Sequence, residues 1–162
     1  MSHLIEELFK NPKTVITTHT SNQATSTTGD DTNVILGSEI TYEPAENSSK
    51  VVYEISFYAE KINGYNFSCI FLEEYSSGSW SEINERFRRN TGNWNHAQSQ
   101  RWYFHFKFVL PAWTGSKQLR LNNKGYITSA GTSLSMHQLT EWDGSGSITD
   151  KFCNTNLLVY SI

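Results

Sequence analysis

The chain is short of nearly every residue that marks a specialised class. It has two cysteines in 162 residues, too few for a disulfide framework, so Cys69 and Cys153 read as reduced, packed thiols of a chain made in a reducing compartment. Charge is sparse: 13 Lys and Arg against 16 Asp and Glu, 18% of the chain with a net charge of −3. That balance lacks the footprint of a nucleic-acid binder. It also disfavours a helical bundle, a coiled coil or a disordered tail. No apolar run is long enough to cross a bilayer, and the first residues (MSHLIEELFKNPK) lack the basic start and long apolar stretch of a signal peptide. The expectation is no export leader and no membrane insertion.

What the chain does have is Ser (20), Thr (16) and Asn (14), with 14% aromatic residues. Polar turn formers beside Tyr, Phe and Trp favour strands joined by turns. Val51, Tyr53, Ile55 and Phe57 alternate with Val52, Glu54, Ser56 and Tyr58, which predicts a strand. Asn63-Gly64 predicts a hairpin into Phe67, Cys69 and Phe71, with Ser68, Ile70 and Leu72 on the other face. Ser76-Ser77-Gly78 predicts another turn, before a strand from Trp80 to Phe87. Trp102, Phe104, Phe106, Phe108 and Leu110 alternate with Arg101, Tyr103, His105, Lys107 and Val109 up to Pro111, a second strand. Residues 20–33 and 88–100 read as polar loops. Further strands are expected at 39–42, 119–121, 126–127, 134–139 and 157–162. Roughly eight to ten short strands spaced about 10–15 residues apart make an antiparallel β-sandwich. The sandwich would span residues 13–162. Val52, Tyr58, Ile70, Leu72 and Val109 on second faces predict that another copy covers part of the outside.

Residues 1–12 differ from the rest. Leu4, Ile5, Leu8 and Phe9 recur at helical spacing between a possible cap at Ser2 and the stop at Pro12. Two helical turns are marginal alone in water. The segment therefore folds back on its own domain or serves as a short helical docking arm for a neighbour.

Catalytic motifs are missing: there is no nucleophile elbow, phosphate loop, zinc-protease helix or dinucleotide fingerprint. The five histidines (3, 19, 96, 105, 137) are not spaced with cysteines or carboxylates as metal ligands. No metal or cofactor is expected. Glu73-Glu74, with Glu82 or Asp143, could suggest a glycosidase pair, but adjacent strand residues point to opposite faces. The expectation is a non-enzymatic protein. One segment suits recognition: Arg86, Arg88 and Arg89, followed by Asn90, Asn93, Trp94, Asn95 and His96, combine cations, amides and an aromatic plate. Such a set fits an intersubunit edge or a sugar. Trp113 and Trp142-Asp143-Gly144 read as turn anchors or rim contacts.

Several stretches in order carry a resemblance. Gly37-Ser38-Glu39-Ile40-Thr41-Tyr42-Glu43-Pro44 leads into Ser48-Ser49-Lys50-Val51-Val52-Tyr53-Glu54-Ile55-Ser56-Phe57. The aromatic strand ends Leu110-Pro111-Ala112-Trp113. Leu119-Arg120-Leu121, Tyr126, Leu134-Ser135-Met136-His137, the Trp142-Asp143-Gly144-Ser145 turn and a last apolar strand follow. Over residues 34–162 this order resembles small virion structural proteins of marine tailed bacteriophages. The resemblance implies a jelly-roll-like sandwich, a homotrimer carried on capsid or tail as fibre, knob or decoration. It also implies other virion proteins as partners, a host surface glycan as a possible contact, and assembly in the host cytoplasm. The rival expectation is a stand-alone carbohydrate-binding module or lectin, with Trp94 and its amides as platform.

Overall fold

The structure is a computed structural model that describes residues 13–18, 23–25, 32–62, 66–93, 100–127, 133–142, 144–146 and 148–162. Residues 1–12, and with them Leu4, Ile5, Leu8 and Phe9, lie outside the described residues. The strands are β1 (Lys13–Thr17), β2 (Gln23–Thr25), β3 (Thr32–Val34), β4 (Ile40–Tyr42), β5 (Lys50–Ile62), β6 (Asn66–Ser76) and β7 (Ser79–Glu82). After a 3₁₀ turn at Glu85–Phe87 come β8 (Arg88–Asn93), β9 (Gln100–Pro111), β10 (Lys117–Ile127), β11 (Ser133–Met136), β12 (Gln138–Trp142), β13 (Ile148–Phe152) and β14 (Thr155–Ser161).

Many of these segments share a column. β1 and β2 pair with β14 and β11, which pair in turn with the two halves of β5; β9 lies on the far edge of β5. In the second sheet β3 and β4 pair with β10, β10 with β6, and β6 with β7 and β8. Every pair is antiparallel. Counted as columns in chain order, the first sheet runs 1-8-3-6 and the second 2-7-4-5. That wrapped order of eight columns is jelly-roll connectivity. β12 and β13 form a separate two-stranded hairpin inserted between β11 and β14.

The core forms where the alternating faces meet. β5 contributes Val51, Tyr53, Ile55 and Phe57, β9 Phe108 and Leu110, and β14 Leu157 and Val159; Ile70 and Leu72 of β6 face them with Leu119 and Leu121 of β10. The opposite face of β9, Arg101 to Val109, is exposed at every second residue, as its alternation requires. The buried Tyr53 hydroxyl donates to the Ser38 carbonyl, and burial pushes its pKa up. Ser38 Oγ accepts from the Leu121 amide at 3.0 Å, tying the chain before β4 to β10. β6 and β7 join through Ser77 and Gly78, both at positive φ (54° and 86°), the two-residue turn that matches strand twist.

Several sequence expectations change. The hairpin at Asn63-Gly64 is not one: β5 and β6 belong to different sheets, because both edges of β5 are taken by β9 and by β14 with β11. Ile70 and Leu72 are core residues and do not face outward; β6 is apolar on both faces, and its register, Leu72 opposite Leu121, chooses the inner one. The polar stretch 20–33 holds the short edge strands β2 and β3. Residues 79–87 form a four-residue strand and a 3₁₀ turn capped by Asn84, whose Oδ1 accepts from the Arg86 amide at 3.1 Å.

The outer face of the first sheet carries the apolar side chains that the sequence placed there. Val52 is buried within the chain, whereas Tyr58, Tyr103 and Val109 are exposed by 37%, 56% and 48%. The two tyrosine rings lie 4.9 Å apart.

Candidate functional site

The recognition segment divides in two. Trp94, Asn95 and His96 lie outside the described residues. Arg88, Arg89 and Asn93 stand on a strand, not in a loop: β8 pairs with β6, Arg88 opposite Phe71, Arg89 opposite Ile70 and Asn93 opposite Asn66. Backbone pairing along the β6 edge holds these polar residues extended, a long-range effect that their own composition does not announce. Strand alternation then sends the arginines apart. On the outer face Arg88 makes a two-pronged ion pair with Glu82, Nε to Oε1 at 2.7 Å and Nη2 to Oε2 at 2.8 Å. This bond raises the guanidinium pKa further above its ordinary value. Arg89 turns inward over the Phe108 ring, 5.2 Å from its centre, and donates to the carbonyls of Arg86 and Arg88. Both are spent on holding the sheet edge together.

Glu73 and Glu74 face opposite sides of β6. Glu73, nearly buried, accepts on Oε2 from Arg120 Nε at 2.7 Å and from Asn122 Nδ2 at 3.2 Å. The Arg120 guanidinium lies 4.0 Å from the centre of the Trp80 ring. Glu74 pairs with Lys117 at 2.6 Å. Each carboxylate has its own cation, and Asp143 lies outside the described residues. Removing Arg120 would strand the carboxylate of Glu73 in a site that admits little water. Arg120→Met should therefore cost about 2 kcal/mol of stability, most of it recovered in Arg120→Met/Glu73→Leu. Urea unfolding of the three variants measures this; an unchanged midpoint in Arg120→Met would show that Asn122 alone supports Glu73.

Of the histidines, His105 Nε2 lies 2.8 Å from Glu54 Oε1 on the exposed face of β9. His137 is buried, with Nδ1 3.0 Å from Thr155 Oγ1, and its φ of 64° breaks the expected 134–139 strand into β11 and β12. Burial raises the pKa of both thiols, Cys69 and Cys153.

The structure brings together a different set. At one end of the sandwich the sheets part, leaving a cleft of about 310 Å³ lined by Glu74, Ile83, Arg86, Phe87, Trp113 and Lys117 among others. β9 ends at Pro111 and feeds Ala112 and Trp113 across the opening, and β10 starts with Lys117. Trp113 packs edge-on against buried Tyr42, their ring centres 6.3 Å apart, while Lys117 Nζ sits 5.1 Å from the centre of the Trp113 ring. Arg86 lies 4.6 Å over the Phe87 ring and makes no ion pair among the described residues. The lining mixes the rings of Phe87 and Trp113 and the aliphatic side chains of Ile83 and Leu110 with polar and charged groups, of which Arg86 has no carboxylate partner among the described residues. Trp113 was visible in the sequence as a candidate rim residue. Its partners were not, because Arg86 and Phe87 reach it only through the pairing of β6 with β8.

No protein-family model and no curated protein matches the chain. Among solved structures it is similar to a chain in the structure of infectious bursal disease virus, Gx strain, with a TM-score of 0.50 and 9% sequence identity over 94% of this chain. It spans 38% of that chain's length. Likeness at this identity concerns fold and not function: the chain is an antiparallel β-sandwich of jelly-roll connectivity, similar over 94% of its length to part of that viral chain.

Proposed function

We propose that the chain is a non-enzymatic structural component of a virus particle that works by self-association. The observation that carries this reading is the eight-column jelly roll and its likeness, over 94% of the chain, to part of a chain from a virus structure. The exposed apolar side chains of the first sheet support a role in packing against neighbours. The tie of Glu73 to Arg120 and Glu74 to Lys117 supports a structural use of the carboxylates. The sequence resemblance narrows the reading to a trimeric appendage or decoration of a tailed phage, on head or tail, with residues 1–12 as anchor to other virion proteins. The contact with a host glycan belongs to this finer reading and involves the segment around Trp94.

Two measurements test the proposal. The purified chain should show a solution mass near three chains by light scattering. Antibody to it should label purified particles in electron micrographs, and a chain lacking residues 1–12 should stay folded and leave the particles. A folded, strictly monomeric chain absent from particles that binds a glycan array would overturn it in favour of a lectin.

A further inference from the structure

A trimer on a threefold axis cannot be made from one self-complementary patch. Each copy must offer two different surfaces, one received by the copy before it and one seated on the copy after it. Such a pair stands on this chain.

The first surface is the tip of the β12–β13 hairpin. Leu139 is buried at its root, while Trp142 at its end is 70% exposed, the most exposed large apolar side chain among the described residues. The turn beyond it is open: a Cβ built on Gly144 or Gly146 would meet no atom within 4 Å. Glu141 precedes Trp142 at the end of β12, so the tip carries an indole and a carboxylate. The second surface is the Trp113 cleft, lined by the rings of Trp113 and Phe87 and by Arg86, which has no ion pair among the described residues. An exposed acidic aromatic tip and an aromatic cleft with a spare cation are complementary in shape, polarity and charge.

They cannot meet within one chain. The hairpin is rooted beside Tyr58, whose carbonyl accepts from the His137 amide at 2.7 Å, whereas the cleft lies beyond Leu110, paired with Val51. Seven residues of β5 separate these levels, about 23 Å, and β12 from root to tip spans only about 14 Å.

We infer that Trp142 of each copy inserts into the Trp113 cleft of the next, with Glu141 beside Arg86, and that three such contacts close the ring. The inference deepens the self-associating reading and rests on it. The contact would pack the indole of Trp142 near the indole of Trp113 and the phenyl ring of Phe87, a buried aromatic centre of the kind that dominates interface energies.

The test uses full-length chains. Trp142→Ala and Arg86→Glu both change exposed side chains, so the fold should survive, as circular dichroism can check. Each alone should weaken self-association at least tenfold and leave a monomer in light scattering. Mixed in equal amounts they should form a one-to-one dimer, because the first retains a cleft and the second a tip. The variant Arg86→Glu/Glu141→Lys should regain the trimer. If the native chain is a trimer and Trp142→Ala is too, the contact is wrong and the self-associating reading stands. Loss of the trimer on deleting residues 1–12, with Trp142→Ala unaffected, would assign the cleft to that segment instead. A native chain monomeric at all concentrations would overturn both.

Discussion

Gly37→Ala should be among the most damaging single-methyl additions to this chain. Gly37 sits in the turn between β3 and β4 at φ 77°, where a Cβ would lie 2.5 Å from Thr17 Oγ1, 2.8 Å from Thr17 Cβ and 3.0 Å from Thr155 Cβ. A side chain in the left-handed region costs about 1–2 kcal/mol, and forcing a methyl into a filled space about 1–3 more. The expected loss is about 3–4 kcal/mol, a large share of a typical domain's stability, seen as a fall of roughly 10 °C in the melting temperature. Neither Thr17 nor Thr155 can yield easily, since they are paired partners in β1 and β14 and Thr155 Oγ1 donates to the Leu36 carbonyl at 3.0 Å. The two costs separate in a cycle. Thr17→Gly in the Gly37→Ala background should return the steric part and leave the conformational part. If Gly37→Ala melts like the native chain, the turn adapts and the close approach to Thr17 is not a constraint.

Phe108→Ala should do comparable harm by the opposite route. Phe108 is 1% exposed and ends the ladder of Trp102, Phe104, Phe106 and Phe108, whose successive ring centres lie 6.3, 5.6 and 6.3 Å apart. Tyr53 of the neighbouring strand β5 and Phe87 of the 3₁₀ turn meet it edge-on, and Arg89 rests on its face. Emptying that position removes a filled volume between paired strands that cannot close in, at about 3–5 kcal/mol. Phe104→Ala, on the half-exposed part of the ladder, should cost about half as much. Guanidinium unfolding of both variants measures the gradient. Equal losses would mean that the ladder is buried along its whole length, as it would be in a tight assembly.

The alternation of β5 and β9 was legible because each strand carries five or so residues of one period, and the inner face is apolar at nearly every place. What alternation cannot tell is which strand lies next to which. β5 is bordered by segments about 50 and 100 residues away, so the Asn63-Gly64 dipeptide, a local signal, pointed to a neighbour that the sheet had no room for. β6 was assigned its strand but the wrong inner face, since Phe71 and Leu72 are equally apolar and only cross-strand register distinguishes them. β8 was missed because its polar sequence makes an edge strand only once β6 supplies hydrogen-bond partners. The candidate site followed the same division. Arg88, Arg89 and Trp113 could be named from the sequence, yet the assignment of each arginine to an opposite face of β8, and of Arg86 to the Trp113 cleft, depends on strand pairing.

The placing of β14 between β1 and β5 also governs when the chain can fold. Lys13 pairs with Val159 and Val51 with Ser161, so the innermost seam of the first sheet joins segments separated by about 100 residues or more of synthesis. Until β14 emerges, β1 has no described partner and the Val51–Ser56 half of one edge of β5 lies bare, an opening that any similar strand can fill. Completion of this sheet thus waits until every strand from β6 to β13 has been made. In a cell filled with many copies of the same nascent chain, the interval before 155–161 appear is when strand exchange between copies competes with correct closure.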